Sequence, residues 1–228
     1  MTSSLPAAVL WDMDGTLVDT EAYWMNAETA LVERFGGIWT HEQALTLVGS
    51  GLEASAAILQ DAGVRLSVTG IVDHLTEQVM NQLVERGNPL RPGAAKLLGE
   101  LRAAGVPTAL VTMSLRRMAE LVVSGLDPDS FDVIVSGDEA TRPKPHPDPY
   151  LQACAALGVA PADAVAIEDS PTGVAAAVAA GIPTIGVPLL VSLVGTGATL
   201  WATLAGRTPQ DLAEFHAHAN THRDGGRA

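Results

Sequence analysis

Two hydrophobic rhythms alternate along the chain. Short apolar runs at Ala7–Trp11, Pro107–Thr112, Asp132–Ser136, Ala164–Glu168 and Pro183–Val187 have the length and continuity of strands buried on both faces. Between them, apolar positions recur at helical spacing over Gly93–Ala104, Leu115–Ser124, Pro149–Leu157 and Thr172–Ala180. Gly105, Gly158 and Gly181 each follow one of these helices, where a left-handed residue lets the chain leave. Thr208, Pro209 and Asp211 supply an N-cap, a first-turn proline and an acid for one more helix. Strand–helix alternation of this kind predicts an α/β protein built on a parallel sheet.

One stretch breaks the alternation. Tyr23–Phe35 is amphipathic and stops at Gly36-Gly37, and Thr40 with Gln43 forms a capping box for the next helix. Leu52–Ala62 and Gly70–Arg86 complete a helical segment without a strand. Residues 19–89 therefore read as an all-helical insert in a core made of residues 1–18 and 90–217. From His216 onward the apolar periodicity lapses, and residues 218–228 read as a disordered tail. Its histidines, His216, His218 and His222, fit a solvated tail better than a metal site.

Composition narrows the classes. The 228 residues are 47% hydrophobic and 17% charged, enough apolar material for a buried core. Thirteen basic against 26 acidic residues leave a formal charge of −13, a field that repels nucleic acid and anionic membranes. An anionic substrate must then be received locally, by a metal ion or a few placed cations. The lone Cys154 excludes an internal disulfide and suits a reducing, cytoplasmic setting. The N-terminus has no basic region before its apolar run, so it does not read as a signal peptide. Ser170–Gly206 carries no charge over a length that could span a bilayer, but its prolines and glycines break any single helix. Within it, the apolar Leu189–Leu204 is expected to contribute a contact between copies, the chain being a monomer or weak homodimer.

Four clusters fall at the carboxyl ends of predicted strands, the edge of an open parallel sheet where ligands bind. In Asp12-Met13-Asp14-Gly15-Thr16, two carboxylates can face one crevice when the chain turns at Gly15. Such a pair can divide the work of nucleophile and general acid/base, although a surface turn or calcium-loop fragment has the same letters. Thr112-Met113-Ser114 offers a hydroxyl and backbone N–H groups that suit a phosphate oxygen, while Ser114 alone also reads as a plain N-cap. Lys144, one of only two lysines, stands between Pro143 and Pro145, a fixed point charge for a carboxylate and a phosphoryl group. Glu168 and Asp169 close an apolar strand, where adjacent acids are costly unless paired or metal-bound. Asp12, Asp14 and Asp169 together make an oxygen-rich site of the kind Mg²⁺ prefers.

In this order, Asp-Met-Asp-Gly-Thr-Leu-Val-Asp-Thr, Thr112, Lys144-Pro-His-Pro-Asp-Pro-Tyr and Glu168-Asp-Ser-Pro-Thr-Gly resemble the four motifs of the haloacid dehalogenase superfamily. The resemblance implies a Rossmann-like core. The helical insert is similar to the cap of the β-phosphoglucomutase-like, sugar-phosphate phosphatase branch. It implies that Asp12 forms an aspartyl-phosphate and that Asp14 protonates the leaving group and then activates water. Thr112 and Lys144, with the backbone N–H of Met113 and with Ser114, would hold the phosphoryl oxygens. Mg²⁺ would sit on Asp12, the carbonyl of Asp14 and Asp169, with Glu168 in support.

Hydrolysis and an intramolecular phosphoryl shift remain alternatives within that branch, and a catalytically silent binding module is a third. A mutase of this kind has a histidine where this chain has Trp24, and an arginine where Gly49-Ser50-Gly51-Leu52 offers no cation. The run Asp19-Thr20-Glu21-Ala22-Tyr23-Trp24 looks more like phosphatases of hexitol and deoxyhexose phosphates. Trp24 would cover a sugar face or fill the cap core, and Gly49 and Ser50 would form a mobile specificity loop or a plain turn. The expected substrate is a small phosphate ester of a sugar or polyol, selected by few polar anchors.

Overall fold

A computed structural model describes residues 3–224. Six strands, β1 (Ala8–Trp11), β2 (Thr108–Val111), β3 (Val133–Val135), β4 (Ala164–Glu168), β5 (Thr184–Gly186) and β6 (Thr199–Leu200), form one sheet in the order β3-β2-β1-β4-β5-β6. Every pairing is parallel. Helices α1 (Glu21–Arg34), α2 (His41–Leu45), α3 (Leu52–Asp61) and α4 (Val68–Arg86) come between β1 and α5 (Ala94–Ala103). Then α6 (Arg116–Ser124), α7 (Asp148–Leu157), α8 (Pro171–Ala179) and α9 (Pro209–Asp224) follow in turn with the strands.

The parallel arrangement follows from burial. β1, β2 and β4 are buried at every position, which only a sheet covered on both faces allows. Alternate residues go to opposite faces. Val9, Trp11, Leu110 and Ile167 join the core shared with α1–α6, and Leu10, Ala109, Val111 and Ala166 pack with Tyr150, Ala153 and Ala177 from α7 and α8. β1 lies between β2 and β4, where chain order reverses, so the loops after three neighbouring strands open on one crevice.

The five predicted strands and the helices between them are present with boundaries shifted by a residue or two. Gly105, Gly158 and Gly181 have φ of 70°, 69° and 81°, in the left-handed region. Two features differ from expectation. β6 is a two-residue edge strand with both residues exposed, too short for any periodicity to announce. Its surroundings also explain much of the apolar Leu189–Leu204: Leu193, Trp201 and Leu204 are buried within this chain, with Leu190 and Val194 exposed. At the C-terminus, α9 continues to Asp224, so residues 218–224 are helical rather than a structureless tail; the rest of that tail lies outside the described residues. The His216 ring is within 2.9 Å of the Ala162 carbonyl oxygen and 3.2 Å of Asn220, which ties this helix to the core. The start of this helix was expected from Thr208 and Pro209, and its continuation past His216 was hidden by weak amphipathicity.

The helical insert leaves and rejoins the core at one place. Val18 and Leu90 form an antiparallel bridge, Asp19 N–H donates to the Pro89 carbonyl (2.8 Å), and Arg91 N–H donates to that of Leu17 (2.9 Å). No helix among the described residues is long and apolar enough to cross a membrane.

Candidate active site

Three neighbouring strand ends and one loop converge beneath the insert. β1 delivers Asp12, β2 delivers Thr112, β4 delivers Glu168 and Asp169, and the loop before α7 brings in Lys144. Lys144 Nζ donates to Asp12 Oδ1 (2.7 Å), Glu168 Oε1 (2.6 Å) and the Val111 carbonyl (2.9 Å), so all three of its hydrogens are used. It is buried with both partners. Its charged form is correspondingly favoured: the two carboxylates push its pKa upward against the cost of burial.

Glu168 is fully buried and fully engaged. Besides Lys144, its Oε1 accepts from Tyr150 Oη (2.6 Å), and its Oε2 accepts from Asp169 N–H (3.2 Å) and Ser170 Oγ (3.3 Å). Ser170 also caps α8 by accepting from Gly173 N–H. Gly173 itself is dictated by this arrangement, because a Cβ there would lie 1.9 Å from Glu168 Oε1. Gly15 plays the same part for Asp169: a Cβ would fall 2.0 Å from Asp169 Oδ2, and its φ of 83° disfavours other residues.

Asp12, Glu168 and Asp169 place carboxylate oxygens within 4.8 Å of one another, the grouping expected of a metal site. Burial, then repulsion from Glu168, raises the Asp12 pKa to about 7 despite the Lys144 contact, and Asp169 is pushed up by burial and by Asp12. Three buried carboxylates against one ammonium leave negative charge uncompensated, the condition a divalent cation relieves. The donor set is all oxygen, which suits Mg²⁺. Within it Glu168 serves Lys144 and Tyr150, leaving Asp12 and Asp169 the less committed carboxylates.

Asp14 points elsewhere. Its Oδ1 accepts from Thr20 Oγ1 (2.5 Å) and Trp24 Nε1 (3.1 Å), and its Oδ2 from Ser114 Oγ (2.7 Å) and Thr112 Oγ1 (3.4 Å). Two of those donors come from the start of the insert and two from the end of β2. Ser114 is thus no simple helix cap, since Leu115 occupies that position and the serine hydroxyl is spent on Asp14. Thr112 Oγ1 also accepts from Ser114 N–H (3.0 Å). Met113 contributes more than its backbone: its sulfur lies 3.3 Å from Lys144 N.

The insert roofs a cavity whose lining includes Trp24, Gly49 and Ser50 along with Asp12, Asp14 and Lys144. Trp24 is buried at the cavity edge, where its indole N–H orients Asp14. The Gly49 carbonyl accepts from Thr172 Oγ1 (2.5 Å), and Gly49 has a φ of 74°, so the turn between α2 and α3 rests on the start of α8.

Several groups at the site escaped the sequence reading. Tyr150 was legible only as a letter in a motif, since its partner Glu168 is distant in sequence. Glu21 and Glu28 also line the cavity, and their spacing with Trp24 and Met25 puts all four on one face of α1. That spacing was the available signal. The cap therefore carries more polar groups than the few expected.

The haloacid dehalogenase-like hydrolase family model matches residues 9–187. A bifunctional riboflavin kinase/FMN phosphatase of Arabidopsis thaliana is 34% identical over 191 residues, covering 82% of this chain, which spans about half (49%) of that longer protein. Hexitol phosphatase B of Escherichia coli is 31% identical over 185 residues, 79% of this chain and 83% of its own. The crystal structure of CbbY from Rhodobacter sphaeroides in complex with phosphate superposes with a TM-score of 0.81 at 30% identity, covering 89% of this chain and 96% of that one.

Proposed function

Because this chain belongs to the haloacid dehalogenase-like hydrolases, we propose that it is a Mg²⁺-dependent phosphatase of small sugar or polyol monophosphates. The observation that carries the reading is the buried Lys144 bridging Asp12 and Glu168 beside Asp169. A phosphoryl group can approach an anionic carboxylate only where its charge is met, and phosphoryl transfer depends chiefly on such positioning and neutralisation.

In this mechanism Asp12 attacks phosphorus and the ester P–O bond breaks, giving an aspartyl-phosphate. Asp14 gives its proton to the departing alkoxide. The ionised Asp14 then takes a proton from water as that water attacks the same phosphorus, which releases phosphate and frees Asp12. Lys144 stays charged throughout and holds Asp12 in line. Thr112, Ser114 and the Met113 N–H line the phosphoryl pocket. Asp12, Asp169 and the Asp14 carbonyl would hold Mg²⁺, which neutralises phosphoryl charge when bound. The insert acts as a cap that limits water.

Hydrolysis is favoured over mutase action because Trp24 orients Asp14 directly from the first cap helix and the Gly49–Ser50 turn presents no cation. A cytoplasmic setting and a monomer or weak homodimer belong to the same proposal. The test is phosphate release from sugar and polyol monophosphates with and without Mg²⁺, using Asp12→Asn as control. Mg²⁺-dependent release absent from Asp12→Asn is expected. Glucose 6-phosphate formed from β-glucose 1-phosphate without free phosphate would make it a mutase instead, and an active Asp12→Asn protein would remove Asp12 as nucleophile.

A further inference from the structure

The cavity that receives the leaving group has an unusual charge pattern. Lys144 is the one cation among its lining residues, and its hydrogens are already taken by Asp12, Glu168 and Val111. Away from the reacting carboxylates the walls are apolar, formed by Met25, Leu47, Leu52 and Leu75. Two buried polar side chains interrupt them. Glu28 on α1 is 5% exposed, and its Oε2 accepts from Trp39 Nε1 at 3.3 Å. Glu28 lines the cavity, and its Oε1 has no hydrogen-bond partner among the described residues. Ser55 on α3 is 6% exposed, and its hydroxyl also lacks a partner while lining the same space.

A ligand that brings hydroxyl groups finds in Glu28 and Ser55 hydrogen-bond partners that the apolar walls around them do not offer. Glu28 lies one helical turn beyond Trp24, about 6 Å along α1, and Trp24 touches Asp14. The groups it meets are therefore several atoms from the scissile bond.

We infer that Glu28, with Ser55, selects the leaving group: an uncharged polyhydroxylated chain whose distal hydroxyl donates to Glu28, with no second phosphate or carboxylate. This inference rests on the phosphatase reading and narrows it. A distal anion would find no free basic side chain to receive it, whereas a hydroxyl can donate to a Glu28 oxygen and accept from Ser55. A substrate with neither group gains nothing there.

Three esters separate these cases in the full-length protein with Mg²⁺: sorbitol 6-phosphate, 6-phosphogluconate, and p-nitrophenyl phosphate. The first two differ in one distal group, a hydroxymethyl in one and a carboxylate in the other. The expected kcat/KM for sorbitol 6-phosphate exceeds that for 6-phosphogluconate by about tenfold or more, the size of one hydrogen bond gained by the hydroxyl against a carboxylate desolvated with no cation to meet it. Glu28→Gln should reduce that ratio, and should also reduce the ratio of sorbitol 6-phosphate to p-nitrophenyl phosphate, by about tenfold. Equal use of 6-phosphogluconate by the unaltered protein would overturn the inference without requiring any variant to fold. So would a Glu28→Gln protein with both ratios unchanged. If p-nitrophenyl phosphate is hydrolysed but discrimination is absent, only this inference fails; if no ester releases phosphate, the phosphatase reading fails and takes the inference with it.

Discussion

Two glycines in helices of the core should respond to alanine in opposite directions. Gly99 lies in α5, exposed, with nothing within 4 Å of the position its Cβ would take. Gly99→Ala should therefore stabilise the protein by up to about 1 kcal/mol, through helix propensity and a less free unfolded chain. Gly173 has the same propensity to gain, but its Cβ would sit 1.9 Å from Glu168 Oε1 and 2.1 Å from Cδ and Oε2. Ordinary contact begins at 3.4 Å, so the carboxylate must retreat by 3.4 − 1.9 = 1.5 Å. It has no free direction, being fully buried and held at 2.6 Å by both Lys144 and Tyr150. Overpacking of this kind costs about 1–3 kcal/mol, which outweighs the propensity gain and leaves Gly173→Ala net destabilised. Because Glu168 holds Lys144, and Lys144 holds Asp12, a displacement of this size should also lower phosphate release by about 10²-fold. Urea unfolding and steady-state phosphate release on the two variants check both parts. A Gly173→Ala protein that matched Gly99→Ala in stability and activity would refute the argument that Glu168 is immovable.

Lys144→Met in metal-free buffer should lose about 3–5 kcal/mol by denaturant unfolding, because Asp12 and Glu168 are left buried without their cation; a loss under 1 kcal/mol would show that water reaches the pair. Burial raises the Glu28 pKa from 4.5 to about 7. A raised carboxylate contributes its stability below the unfolded pKa and loses it as pH climbs through the folded one, so ionised Glu28 costs the folded state up to about 3 kcal/mol at high pH. Glu28→Gln minus unaltered protein, measured by unfolding from about pH 4 to about pH 8, should rise by that amount; a flat difference would mean that Glu28 is well solvated.

The alternation of buried runs and helical periods was enough to give the sheet, because β1, β2 and β4 are apolar at nearly every position. It could not give β6, two exposed residues held by pairing with β5 alone. The position of the site was legible because Asp12, Thr112 and Glu168 each end an apolar run, and a parallel sheet brings such ends together. The division of labour inside it was not. Asp14 and Asp169 are similar letters, yet one is turned by Thr20, Trp24 and Ser114 toward the insert and the other is held by Thr16 against Gly15. Those contacts join residues as far as 153 positions apart, beyond any local pattern. Glu28 had the helical spacing to be found, but a glutamate on an amphipathic helix ordinarily faces water, and only the packing of α1 over the cavity turns it inward.

The paired segments around Val18 and Leu90 have a consequence for what can be exchanged in this molecule. Because the two crossings are hydrogen-bonded side by side, the ends of the helical insert are already closed on each other within the core. A different number of helices between them would change neither the register of β1 with its neighbours nor the span the chain must bridge, and added length raises closure entropy only logarithmically. The groups proposed to handle phosphorus come mostly from strand ends outside this segment, whereas Glu28, Ser55 and Gly49 come from inside it. On the proposed roles, chemistry and selectivity lie on separable lengths of one chain, joined through the few donors, Thr20 and Trp24, that reach back to Asp14.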